Sequence, residues 1–131
     1  MQYTPAADPP MTRILVIDDN EDFRNLAKHW LEDAGFSVSV ADGRIALELQ
    51  REQPADVIVT DIFMPDRDGI ETISALRKEF PRTQIIAMTG HEPVTNYDVL
   101  GIAKQLGAAR TFKKPFHLDD LVAAVRSLTG K

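Results

Sequence analysis

Residues 14–19, Ile14-Leu15-Val16-Ile17-Asp18-Asp19, decide the fold: four aliphatic residues are followed directly by two carboxylates. A run that is apolar on both faces is typical of a central parallel strand covered on both sides. The next segment has apolar residues three and four apart, which predicts a helix ended by Gly35. These residues are Phe23, Leu26, Ala27, Trp30, Leu31 and Ala34.

The same alternation of strand and helix signals continues to the end of the chain. Further strands are predicted at residues 36–40, 57–59, 85–88 and 111–112. Further helices are predicted around 45–49, at 69–80, before Gly107 and across 118–128. Five strands alternating with five helices predict an α/β fold, a doubly wound five-stranded parallel sheet of order 2-1-3-4-5, the flavodoxin-like (βα)5 class.

Length and composition limit the kind of protein. The 131 residues suit one domain, which we assign to residues 12–131 after a proline-containing, flexible N-terminal tail at 1–11. A net charge of −5 argues against a nucleic-acid-binding surface, and the absence of cysteine excludes disulfides and thiolate metal sites. We find no signal peptide and no apolar run that favours membrane insertion, so we expect a cytoplasmic protein. Because the sequence stops after the last helix, we expect no attached output domain.

Polar side chains collect where the apolar strands end. Asp18 and Asp19 follow the first strand, Asp61 follows the third, Thr89 the fourth and Lys114 the fifth. Ligands of such sheets bind outside the carboxyl ends of the strands, so these side chains are expected to line one crevice. Two carboxylates ~5 Å apart repel by about 3 kcal/mol at an effective dielectric near 20, which favours a cation among them. Oxygen ligands select Mg²⁺ (or Mn²⁺), and Asp61 beside that ion is a candidate nucleophile for a phosphoryl group.

The chain resembles the receiver domain of two-component response regulators, the CheY-like family, and is similar in extent to stand-alone chemotaxis regulators. The matching segments are 14–19, 61–65 with Gly69, 88–90 and 113–116. The resemblance implies phosphorylation of Asp61. It also implies a metal held by Asp18, Asp19, Asp61 and the backbone carbonyl of Phe63, a Thr89 that senses the phosphoryl group, a Lys114 that pairs with it, and a cis bond before Pro115.

The resemblance also implies a mode of action and partners. It implies a phospho-acceptor switch, not an enzyme, that assists its own phosphorylation and dephosphorylation. The phosphodonor would be a sensor histidine kinase or a histidine phosphotransfer protein, and the switch would act on a downstream protein target that the sequence does not identify.

Phe63 and His91 occupy the variable positions that flank the phosphoryl group. The usual aromatic switch position holds Thr111, with Phe112 beside it.

Three other functions compete with this interpretation. A phosphatase with an aspartyl nucleophile places a second Asp two residues later, where this chain has Phe63. A flavodoxin-like cofactor binder needs a Gly-, Ser- or Thr-rich loop after the first strand, but residues 18–22 are Asp-Asp-Asn-Glu-Asp. A receiver-like module that binds proteins without being phosphorylated is the remaining alternative.

Several polar residues have a plainer interpretation. Lys113 should point away from the crevice, because neighbouring side chains of a strand alternate between its faces. His29 is interpreted as a solvated helix residue, and His117 is placed near the start of the last helix with no evident acidic or histidine partner in sequence. Asp66 and Asp68 are interpreted as turn and helix-start residues.

Overall fold

The computed structural model describes residues 11–64, 67–90 and 99–130. The predicted flexible tail lies outside these ranges except for Met11, as do Asp66 and His91.

Five parallel strands form one sheet, and its order confirms the prediction. The strands are β1 (Arg13–Ile17), β2 (Ser37–Ala41), β3 (Val57–Asp61), β4 (Gln84–Thr89) and β5 (Arg110–Lys113). Their order in space is β2-β1-β3-β4-β5, with every neighbouring pair parallel. The reversal of order between β1 and β3 opens a crevice at the carboxyl ends of the strands.

Five helices cover the two faces of the sheet. They are α1 (Glu21–Asp33), α2 (Ala46–Glu52), α3 (Gly69–Glu79), α4 (Val99–Gln105) and α5 (Leu118–Thr129). Because side chains alternate along a strand, Leu15 and Ile17 pack with α2, α3 and α4, whereas Ile14 and Val16 pack with α1 and α5. None of the helices in the described ranges combines the length and apolar character needed to cross a membrane.

Two strands extend further toward the site than the sequence pattern predicted. The predicted strands stopped at Val59 and Met88, but β3 includes Asp61 and β4 includes Thr89, because Thr60 and Asp61 continue the ladder opposite Ala87 and Met88. Both polar side chains are therefore carried on paired strand backbone rather than on a loop.

A short antiparallel pair after β3 was not predicted. Residues Phe63–Met64 pair with Arg67–Asp68, so Asp68 ends a short strand and directly precedes the first residue of α3. The pair closes onto the sheet through Gly69, whose N–H donates to the Ile62 carbonyl at 3.0 Å. A Cβ at Gly69 would collide with the backbone of Ile62, so only glycine permits this approach.

The first helix ends before Gly35, as the sequence predicted, but its apolar stripe is only partly covered. Gly35 follows it with φ +100°, the left-handed conformation of a helix C-terminal glycine. Ala27 and Leu31 are fully buried, whereas Leu26 is 51% and Trp30 is 40% exposed. The spacing of apolar residues gave the direction of the stripe but not the width of the surface that covers it.

Candidate functional site

Three carboxylates converge at the carboxyl ends of β1 and β3. Asp18 and Asp61 are buried and Asp19 is exposed, and one oxygen from each lies within 4.8 Å of the others. This confirms the predicted convergence. Hard, anionic oxygen donors with one side open to solvent fit a Mg²⁺ ion, which keeps several of its waters.

The Lys114 ammonium lies between two of these carboxylates. Its Nζ is 2.6 Å from Asp18 Oδ2 and 3.2 Å from Asp61 Oδ2. The backbone N–H of Lys114 donates to the Thr89 carbonyl at 2.7 Å, which fixes the residue at the end of β4, and the Lys114–Pro115 bond is cis, as the resemblance implies. Lys113 is exposed, in agreement with its interpretation as a solvated side chain.

Thr89 brings a hydroxyl to the same end of the sheet. Its side chain is fully buried, and its Oγ1 has no hydrogen-bond partner among the described residues. Burying an unpaired hydroxyl costs free energy, so such a group in a native fold calls for a reason, such as a ligand that completes it. A donor held ready beside Asp61 suits a transferred anionic group.

The Asp18 carboxylate also organises the start of α1. Its second oxygen, Oδ1, accepts from the Asn20 N–H at 2.9 Å, and Asn20 in turn caps the helix by accepting from the Phe23 N–H at 2.9 Å. Arg24 Nη1 donates to the Asp18 carbonyl at 2.7 Å. The roles of Asn20 and Arg24 were not predicted from the sequence, although an Asn before an apolar helical pattern is an ordinary helix-start signal.

An aromatic cluster, formed by Phe23, Phe112 and Phe116, borders the site. Lys114 Nζ lies 4.1 Å from the centroid of the Phe23 ring. Phe23 meets Phe116 edge-on at 6.1 Å between centroids, and Phe116 contacts Phe112 at 4.8 Å. Phe23 was predicted only as part of the apolar stripe, because nothing local indicates a contact with a residue so far along the chain.

A groove of about 1120 Å³ leads from the carboxylates along α1 toward the start of α5. Its apolar lining includes Phe23, Leu26, Trp30 and Phe116. The Trp30 indole N–H donates to Asp119 Oδ1 at 3.1 Å and so joins the two helices. The exposed side of the α1 stripe therefore lies in this groove.

The remaining predicted residues lie outside the site or outside the described part of the chain. Phe63 is placed by its backbone opposite Asp68, but its side chain and all of His91 lie outside that part. His29 is exposed and 3.3 Å from Asp33, and His117 is exposed just before α5, as interpreted.

Two surface carboxylates have their pKa lowered by arginines, and neither belongs to the three-carboxylate site. The hydrogen bond from the Arg44 side chain lowers the pKa of Asp42 below its ordinary 3.8. The hydrogen bond from the Arg51 side chain lowers the pKa of Glu79 below its ordinary 4.5. The Arg51–Glu79 pair joins α2 to α3, with N–O distances of 2.6 and 2.8 Å.

Comparisons with known proteins all identify response regulators as relatives of this chain. The model of the response regulator receiver domain matches residues 14–126. The transcriptional regulatory protein CpxR of Escherichia coli (strain K12) is 38% identical over 119 residues, which are 90% of this chain and 49% of CpxR. The response regulator receiver protein CpdR of Brucella abortus (strain 2308) is 34% identical over 119 residues, which are 90% of this chain and 97% of CpdR. The chain thus spans about half the length of CpxR and nearly all of CpdR.

Solved structures agree with this result. The beryllofluoride-activated NtrC4 receiver domain dimer has a TM-score of 0.82 at 30% identity, with 92% of this chain and 98% of that chain covered. The chemotaxis protein CheY4 of Vibrio cholerae has a TM-score of 0.80 at 31% identity, with 91% and 99% covered.

Proposed function

The chain belongs to the response regulator receiver domain family, and we propose that it is a phospho-acceptor switch of a two-component system. In this proposal Asp61 takes a phosphoryl group from a phosphohistidine, and the phosphorylated form changes its affinity for a downstream protein. The chain is an acceptor that assists its own phosphorylation and dephosphorylation, not an enzyme acting on separate substrates. A cytoplasmic location stays a prediction from the sequence.

One observation carries the proposal: three carboxylates and one ammonium share the end of the sheet, with Lys114 Nζ 3.2 Å from Asp61. Asp61 is supported by paired strand backbone and is buried, so its carboxylate is oriented before a donor arrives. Positioning and charge neutralisation are most of what phosphoryl transfer requires of a protein. This site supplies both.

In the proposed transfer, the phosphoryl group moves intact from the imidazole nitrogen of the donor to an Asp61 oxygen. An Asp61 carboxylate oxygen forms a bond to phosphorus while the bond from phosphorus to the imidazole nitrogen breaks, and the electron pair of that bond leaves with the imidazole. Lys114 offsets negative charge on the phosphoryl oxygens, and the Thr89 hydroxyl donates a hydrogen bond to one of them. The hydroxyl thereby gains the partner that it lacks among the described residues.

A divalent cation completes this site in the proposal. Asp18, Asp19 and Asp61 would hold Mg²⁺ (or Mn²⁺), and by family resemblance the Phe63 carbonyl would be a further ligand. When bound, the ion supplies positive charge against the phosphoryl oxygens. Without it, the three carboxylates would repel an incoming phosphate, which Lys114 alone would only partly offset.

The test is phosphorylation by a small donor. Wild-type chain incubated with Mg²⁺ and acetyl phosphate should gain one phosphoryl group by intact mass, and chelation of the metal should prevent the gain. Asp61→Ala should gain none. Asp56→Asn is the matched control, because Asp56 lies just before the opposite end of β3, where its Oδ2 accepts from the Arg13 N–H at 2.9 Å.

The outcomes separate the proposal from its main alternative. A gain that persists in Asp61→Ala would place the acceptor elsewhere. No gain in the wild type, with the metal present, would refute the switch and favour a receiver-like module that binds proteins without being phosphorylated.

A further inference from the structure

The Lys114 ammonium contacts two carboxylates and one aromatic ring in the described part of the chain. We propose that Phe23 is a positioning residue that keeps this ammonium at the phosphoryl site after a divalent cation has taken the carboxylate oxygens of Asp18 and Asp61. The inference rests on the proposed function, because it concerns the group that Lys114 must reach. Phe23 itself touches no reacting atom.

The need for such a residue follows from competition for oxygen. Asp18 and Asp61 hold the Lys114 ammonium at 2.6 and 3.2 Å. A cation bound by the same carboxylates weakens both contacts and also repels the ammonium. The long lysine side chain, 21% exposed, would then be free to turn toward solvent.

The Phe23 ring is a partner that a hard cation does not compete for. Its centroid is 4.1 Å from Lys114 Nζ, well inside the range in which an aromatic quadrupole attracts an ammonium. A divalent ion of this kind is bound by oxygen and keeps its waters, so it leaves the ring free. The attraction is strengthened by partial burial, because only 21% of the Lys114 side chain is exposed to water.

The ring is held in place from two sides. The Phe23 backbone N–H donates to Asn20 Oδ1 at 2.9 Å, and the Phe23 ring makes a T-shaped contact with Phe116, with 6.1 Å between the ring centroids. Phe116 is supported in turn by Phe112, which lies on the α1 and α5 side of the sheet. Phe112, the aromatic residue of β5, therefore supports Lys114 indirectly, through Phe116 and Phe23. The position that usually holds the aromatic switch residue holds Thr111 instead.

The direct test observes Lys114 by NMR in chain labelled with ¹³C-lysine, with the ε-methylene signal assigned from Lys114→Arg. A methylene above an aromatic face is shifted upfield by the ring current. We expect the upfield shift in the wild type both without and with saturating Mg²⁺, its loss in Phe23→Leu, and its recovery in Phe23→Tyr, which keeps the ring. The same ε-methylene shift in wild type and Phe23→Leu would overturn the contact. Loss of the wild-type upfield shift on adding Mg²⁺ would overturn the positioning role.

The functional test measures the rate of Asp61 phosphorylation by acetyl phosphate at saturating Mg²⁺. Phe23→Leu should react about fivefold to tenfold more slowly, as expected from losing a partly desolvated cation–π contact, and Phe23→Tyr should react within about twofold of wild type. Phe36→Leu is the control for loss of a ring from the same core, because Phe36 lies beyond the far end of α1, and about 15 Å of helix separates Phe23 from that end. It should react as wild type does.

The two proposals fail in different ways. A wild type that gains no phosphoryl group refutes the proposed function, and with it the role of Phe23. A wild type that is phosphorylated, with Phe23→Leu reacting at the same rate, overturns the positioning role and leaves the proposed function standing. Equal slowing in Phe23→Leu and Phe23→Tyr also overturns it, because the ring would then not be what matters.

Discussion

Replacing Thr89 with valine should make the ion-free protein more stable. The Thr89 hydroxyl is fully buried and has no hydrogen-bond partner among the described residues. Burying an unpaired hydroxyl costs about 1–3 kcal/mol on mutational scales, and valine has nearly the same shape without the polar atom. Taking the lower end of that range, Thr89→Val should raise the free energy of unfolding by about 1 kcal/mol.

Thr60 supplies the matched comparison one strand away. It is equally buried, but its Oγ1 donates to the Asp61 carbonyl at 3.0 Å. Thr60→Val loses that bond, and a typical buried hydrogen bond is worth about 1 kcal/mol net. The same substitution at neighbouring strands should therefore change stability in opposite directions.

Urea unfolding, without Mg²⁺ or phosphodonor, measures both changes. With a slope near 2 kcal/mol/M, about 1 kcal/mol moves the midpoint by roughly 0.5 M, upward for Thr89→Val and downward for Thr60→Val. If Thr89→Val were destabilised as much as Thr60→Val, the hydroxyl would already be satisfied in the folded chain. A phosphoryl oxygen would then not be the partner that the Thr89 hydroxyl lacks, and that part of the proposed transfer would be refuted.

Two further predictions concern residues away from the carboxylates. Gly69→Ala should lower the free energy of unfolding by about 2 kcal/mol, because the new Cβ would collide with the Ile62 backbone. Gly90→Ala is the control and should change the free energy of unfolding far less, because a Cβ at Gly90 would make only ordinary contact at 3.5 Å. Equal urea midpoints for the two variants would contradict this prediction. Because its pKa is lowered in the fold, Glu79 should stabilise the protein above pH 4.5 and lose that effect as the pH falls through its folded value. NMR titration should show the Glu79 pKa returning toward 4.5 in Arg51→Gln, and an unchanged pKa would remove Arg51 as the cause.

The architecture could be predicted from sequence because its signals are local and repeated. The all-apolar run at residues 14–17 located β1 to within one residue, and the rule that carboxyl ends of parallel strands meet correctly placed Asp18 and Asp61 together. The pairing of Phe63–Met64 with Arg67–Asp68 was missed, because strands of two residues carry no periodicity.

The contacts that refine the site could not be predicted in the same way. Phe23 satisfies the helical apolar pattern whether or not it also faces a lysine, and only the folded chain shows that it packs against the core and contacts Lys114 as well. The exposure of Leu26 and Trp30 could not be predicted for the same reason. Periodicity gives the direction of a side chain around a helix, not how far the neighbouring elements extend over it.

The several contacts of Asp18 affect how any experiment on it should be interpreted. Replacing this residue would delete one oxygen of the three-carboxylate cluster, release Lys114 from its shortest ion pair and remove the acceptor that fixes Asn20 at the start of α1. If such a variant bound Mg²⁺ more weakly, the three effects could not be separated. Asp19, whose side chain is exposed, contributes an oxygen to the same cluster. A substitution at Asp19 would therefore test the loss of one cluster oxygen by itself.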